Sequence, residues 1–136
     1  MMRAPQSPGI PVASVELLSA AVTEIEAAVV QPHAADRYIR GHLVARRAAA
    51  AVLAARARPD RSRQPRNVWA LLPRVAPELR EWAEFFAAGT GKRIAAEAGM
   101  TQVVSPREAD DLVRDAHNFL DVVVADLVRG MGRQAN

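Results

Sequence analysis

The stretch RYIRGH, residues 37–42, sets an arginine and a histidine with four residues between them. A histidine can move protons near neutral pH and an arginine can hold an anion, so Arg37 and His42 are a candidate catalytic pair. The surrounding run is rich in alanine and reads as helix, which fixes the geometry. Five residues turn about 500°, leaving the two side chains about 140° apart. With Ala35, Ile39, Ala49 and Leu53 as the core face, His42 points inward and Arg37 nearly opposite. The two are not expected to meet on one phosphate, and the spacing reads as coincidence.

The same stretch starts a different grouping. Tyr38, His42 and Arg46 are four residues apart and line up along or beside the apolar face. A buried arginine without a partner is costly, so Arg46 is expected to meet an acid, line a cleft or face an interface. One reading is a polar pocket between helices that takes a nucleotide phosphate; the other is an internal network with the guanidinium reaching solvent. Further along, Asp110, Arg114, His117 and Asp121 share a second helical stripe. It could carry an Arg114/His117 site or simply be an exposed face of i,i+4 charge pairs. An enzymatic reading draws on His42, Arg46, Arg114 and His117.

The segment RARPDRSRQPR holds Arg56, Arg58, Arg61, Arg63 and Arg66 against a single acid, Asp60. Such a cluster can contact nucleic-acid phosphates in a salt-dependent way, or be a solvated basic loop. It has no interleaved aromatics for stacking bases, so binding there would carry little sequence preference. AAGTGKR (87–93) resembles the end of a phosphate-binding P-loop but has Phe86 and Arg93 where the motif needs glycine and Ser or Thr. Gly89 and Gly91 read instead as a helix stop and a turn.

Composition narrows the chemistry. The 136 residues include no cysteine and three histidines, which removes thiol catalysis and disulfides and argues against zinc; no metal or cofactor is expected. The net charge of +3 rests almost wholly on arginine, since Lys92 is the one lysine. Glu16, Glu24 and Glu26 interrupt the N-terminal region, which argues against a signal peptide. No segment approaches the apolar length that spans a bilayer, so no membrane partner and a cytoplasmic location are expected.

The elements that must position these residues are helices. Half the residues are apolar but 4% are aromatic, with alanine dominant, a composition that favours helix over strand. Pro5, Pro8 and Pro11 mark residues 1–13 as a disordered arm. Ser14 can cap a first helix with Val15, Leu18, Val22, Ile25 and Val29 at 3-4-3-4 spacing, closed by Pro32. A second helix spans about 33–57. Asn67 caps VWALLPRV, and Pro77 opens a helix that ends at Gly89. A shorter helix covers about 92–98.

SPRE then puts Ser105 and Glu108 in a capping box. The helix it opens carries Ala109, Leu112, Val113, Ala116, Leu120, Val123 and Leu127 on one face and stops at Gly130, leaving 130–136 as a flexible tail. Trp69, Trp82, Phe85 and Phe86 supply bulk to an alanine-rich core. Stripes of this kind can be buried only against one another, which predicts one all-α domain over 14–129, an up-and-down bundle of four to five helices.

DRYIRGHLVARRAAAAVLAARARP, RNVWALLPRVAPELREWAEFFAAG and SPREADDLVRDAHNFLDVV together resemble a small actinobacterial family of the HEPN superfamily (higher eukaryotes and prokaryotes nucleotide-binding) over most of 14–128. The resemblance implies a helical bundle, often a homodimer. It also implies one of two activities: a metal-independent ribonuclease, or a non-catalytic binder of nucleotides, RNA or partner proteins. The ribonuclease members carry Arg-x4–6-His late in the bundle. Here no such pair follows residue 43: the arginine that His117 would need falls on Asp110, Asp111 and Leu112, and Arg114 is too close. The resemblance therefore favours the non-catalytic binder, with a degenerate or relocated Arg/His site, or a purely structural partner-binding bundle, as the alternatives.

Overall fold

A helix whose exposed surface is mostly alanine can be surrounded by neighbours, because small side chains let backbones approach from several sides. That is the position of α2 (Ala34–Arg56), which buries ten residues, five of them alanine. The computed structural model describes residues 9–56 and 67–135, with side chains through residue 130. Around α2 lie α1 (Val12–Val29), α3 (Val68–Val75), α4 (Arg80–Ala88), α5 (Thr90–Glu97) and α6 (Pro106–Ala135); 3-10 turns at Pro77–Leu79 and Thr101–Val103 precede α4 and α6. The chain is an all-α bundle.

The register of side-chain contacts gives the directions. Glu24 pairs with Arg40, and Ser14 donates to the Ala51 carbonyl, so α1 and α2 are antiparallel. Arg37 pairs with Asp110, and Arg56 with Asp126, so α2 and α6 run parallel. At Gly41 these two helices are closest: a Cβ there would lie 3.3 Å from the Val113 side chain. Between them α3 and α4 form a helical hairpin. Trp69 at its start packs against the His42 ring, its turn reaches Arg56 through Val75 and Glu78, and its end returns to His42 at Phe86.

Local signals act as expected at two helix starts. The Asn67 side chain accepts from the Trp69 amide at 3.0 Å. Ser105 and Glu108 satisfy each other's amides at 3.0 and 2.9 Å, the reciprocal capping box. All seven residues assigned to the apolar face of α6 are buried.

Several expectations are corrected. The first helix begins at Val12, so Ser14 is not its cap but a buried residue inside it. The buried face of α1 is Ser14, Ala21, Ile25 and Ala28, whereas Val15, Val22 and Val29 are exposed. The helix is thus turned by about one residue, 100°, from the valine stripe. The low relief of Ala45, Ala48 and Ala49 on α2 is matched best by small residues opposite. Gly130 does not end α6, which continues to Ala135; a glycine stops a helix when it turns left-handed, and among the described residues Gly99 alone has positive φ. Phe85 is exposed, and its expected place in the core belongs to Phe119, packed among Trp69, Trp82 and Phe86.

Candidate functional site

Tyr38 and His42 come together as the spacing implies, one turn apart on α2, with ring centroids separated by 6.0 Å. They serve the C-terminal end of α4. A helix end leaves carbonyls without intrahelical donors; here the His42 Nε2 donates to the Phe86 carbonyl at 3.0 Å and the Tyr38 hydroxyl to the Gly89 carbonyl at 3.4 Å. Gly89 is what lets the chain lie so close. Its φ of −89° suits any residue, but a Cβ would stand 2.5 Å from the Tyr38 oxygen and 3.2 Å from His42 Nε2. The stop at Gly89 seen in the sequence is real, and its cause is this close approach.

The electrostatics of the pair follow from burial. His42 is 1% exposed, and desolvation holds its pKa down to about 4; the Phe86 carbonyl opposes this, while the charges of Arg93 and Arg46 add to it. With Nε2 committed to a carbonyl and the ring neutral, Nδ1 is a buried acceptor without a partner. Tyr38 is pushed up, chiefly by burial.

Both residues line a cleft of about 400 Å³ between α4 and α6. Its charged lining is Lys92 paired with Glu108, and Arg114 paired with Asp111 at 3.1 Å and Asp115 at 3.3 Å. Three carboxylates against two cations do not attract a phosphate. Arg46 is not part of this cleft, so the expected Tyr38–His42–Arg46 pocket is divided. Arg46 is half-buried and makes no hydrogen bond or ion pair among the described residues.

Arg37 is not turned out to solvent as the helical angle suggested. Its side chain is 15% exposed, pairs with Asp110 at 3.2 Å and donates to the Gln31 and Pro32 carbonyls at the end of α1. It faces α6 in a second cleft, of about 350 Å³, with Arg114 and His117. So Arg37 and His42 stay apart, while Arg37 and His117 share a cleft. His117 is exposed, with Nδ1 3.5 Å from Asp121, an i,i+4 pair on the surface of α6.

Arg56 leaves the basic cluster. It donates to Glu78 at 2.7 Å and to Asp126 at 2.6 Å, tying α2, the start of the α4 segment and α6 together. The Asp126 side chain is only 6% exposed and also meets Arg129 at 3.4 Å. Burial raises the Glu78 carboxyl, but the hydrogen bond and charge of Arg56 outweigh it and leave the pKa below the ordinary value. Arg58, Arg61, Arg63 and Arg66 lie outside the described residues. Sequence reasoning missed this hub and the Arg37–Asp110 pair. A signal existed: Asp126 interrupts an apolar face beside Leu127, and an acid at such a position needs a buried cation.

Among the described residues, no helix is long and apolar enough to cross a membrane, and no three His, Asp or Glu side chains are placed to hold a metal. The profile of the SAV_6107-like HEPN family matches residues 28–124, which takes in α2 through most of α6. No curated protein and no solved structure matches the chain.

Proposed function

The chain belongs to the SAV_6107-like HEPN family, and on that footing we propose that it acts without catalysis, as a binding module for RNA or nucleotides or for a partner protein. The observation that carries this is the disposition of its two candidate histidines. His42 is buried, neutral and spent on the Phe86 carbonyl, so it supports the fold and has no access to a nucleophile. His117 is open to solvent, but Arg37 and Arg114 beside it are each tied to carboxylates. A guanidinium already neutralised stabilises little new charge on a phosphate. Contact with RNA falls to Arg58, Arg61, Arg63 and Arg66, through phosphate charge and without base selection.

A second reading has one observation in its favour: Arg37, Arg114 and His117 line the same cleft, the raw material of a relocated ribonuclease site. One experiment separates the two. Purified protein is incubated with a labelled single-stranded RNA in EDTA across a salt series, and retention and cleavage are read from the same samples. The binding reading expects retention that falls with salt, no cleavage, and loss of retention in a triple Arg61→Ala, Arg63→Ala, Arg66→Ala variant. Cleavage that disappears with His117→Ala would replace it by the ribonuclease reading. Absence of both retention and cleavage moves the function to a protein partner.

A further inference from the structure

Phe85 is the aromatic residue that the core did not take. It stands 47% exposed on α4, beside the half-buried Trp82. Together they line a cleft of about 780 Å³ between α4 and α6, whose charged lining is Glu78, Glu81 and Asp115 against Arg80. Both rings are braced from behind by the aromatic core. Trp82 stacks on Phe86 and leans on Phe119 at 5.3 Å between centroids, and Phe85 meets Phe86 edge to face at 5.0 Å. Rings held in this way lose little freedom when something settles on them.

The lining says what settles there. Three carboxylates face one guanidinium on a chain whose net charge is +3, so this cleft opposes the charge of the whole and disfavours phosphate. It suits a cation that also stacks, and among protein side chains arginine does both: its planar guanidinium lies on aromatic faces and forks onto carboxylates. The cleft's own walls show that chemistry. Glu78 takes the Arg56 guanidinium at 2.7 Å and Asp115 that of Arg114 at 3.3 Å, and each arginine is divided with a second carboxylate, Asp126 or Asp111. Glu81 is exposed and makes no ion pair among the described residues.

The cleft is also continuous with another. Phe85 and Asp115 line both it and the 400 Å³ cleft of Tyr38 and His42, so the two form one groove along α4, long enough for a peptide segment. The unpartnered buried atom of that second cleft's residues is the His42 Nδ1, an acceptor. What it lacks is an N–H donor, not an anion.

We propose that this groove docks an arginine-bearing segment of a partner protein, with a guanidinium on Trp82 and Phe85 and its N–H groups on Glu81 and Asp115. This rests on the partner-binding arm of the proposed function and not on RNA contact. RNA retention is read with the Arg61→Ala, Arg63→Ala, Arg66→Ala protein and peptide binding with Phe85→Ala, so either can fail alone.

The test is fluorescence anisotropy of a fluorescein-labelled peptide, Gly-Arg-Arg-Gly-Arg-Arg-Gly, titrated with the full chain at about 150 mM salt, where long-range attraction is screened. Saturable binding is expected, tighter than that of the same peptide with lysine for arginine. Phe85→Ala is expected to weaken it about five- to tenfold and Glu81→Gln about threefold. Both positions are exposed, so helical circular dichroism should not change. Glu16→Gln, on α1, removes the same charge elsewhere and should leave binding as it is.

The proposal is overturned if the wild type does not bind, if Phe85→Ala binds as well, or if Glu16→Gln costs as much as Glu81→Gln. Equal affinity for the lysine peptide, or equal displacement by spermidine, would make the groove a site for any cation and overturn the arginine assignment. Tighter binding by the triple arginine variant would mean that arginines of this chain already fill the groove. RNA retention that falls with Phe85→Ala would give the ring to RNA, and each of these results rules out a partner segment as the occupant.

Discussion

The buried histidine makes stability depend on pH in a calculable way. His42 is neutral in the folded chain, with a pKa lowered by desolvation from 6.5 to about 4. An unfolded chain takes up a proton on this residue below pH 6.5; the folded one does not until about pH 4. The stabilising difference is therefore complete above pH 6.5 and is lost as the pH falls from 6.5 to 4. A gap of about 2.5 pH units at 1.4 kcal/mol each gives about 3 kcal/mol, and burial to 1% leaves little solvent screening to reduce it.

His42→Gln is the comparison. Glutamine keeps an N–H donor for the Phe86 carbonyl and has nothing to titrate. Urea unfolding of both proteins at several pH values measures the difference, and the carboxylates common to both cancel. The wild type is expected to lose about 3 kcal/mol more than the variant between pH 7 and pH 4, about 1.5 M in urea midpoint at a typical slope. Parallel curves for the two proteins across that range, or an NMR titration of the His42 ring near pH 6.5, would refute the argument.

Further outcomes follow from the same contacts. Gly89→Ala forces a Cβ against the Tyr38 hydroxyl and His42 and is expected to cost about 1–3 kcal/mol by thermal melting. Adding Tyr38→Phe, which removes the clashing oxygen, should recover part of that loss, and strict additivity in the double-mutant cycle would disprove the contact. Arg56→Ala leaves Asp126 buried with Arg129 as its remaining cation and is expected to destabilise by about 2–4 kcal/mol; a second change, Asp126→Asn, should restore some of it. The same Arg56→Ala variant should leave the salt dependence of any RNA retention unchanged, because its guanidinium is held by Glu78 and Asp126. Ser105→Ala opens the capping box of α6, with an expected cost of about 1 kcal/mol in urea titration.

What the sequence determined by itself was local and periodic. Alanine content and the spacing of apolar residues set an all-helical chain. Asn67, Ser105 and Glu108 started α3 and α6 because a cap needs only its own next few residues. The face of α6 was legible because a long helix repeats its pattern until the average direction is unambiguous. Tyr38 and His42 were grouped correctly because i,i+4 neighbours on a helix are neighbours in space.

Tertiary structure decided whatever depended on a surface distant in sequence. The buried face of α1 lies about 100° from its valines because an alanine-lined α2 accepts small residues more closely, and periodicity cannot see the shape of the opposing helix. Phe119 rather than Phe85 entered the aromatic core for the same reason. Arg56 left the basic cluster because its acids, Glu78 and Asp126, are 22 and 70 residues away, a pairing no local pattern records. Gly89 shows both levels at once: the residue type marked a helix end, but the reason that end must be glycine is a hydroxyl and an imidazole contributed by a helix about 50 residues earlier.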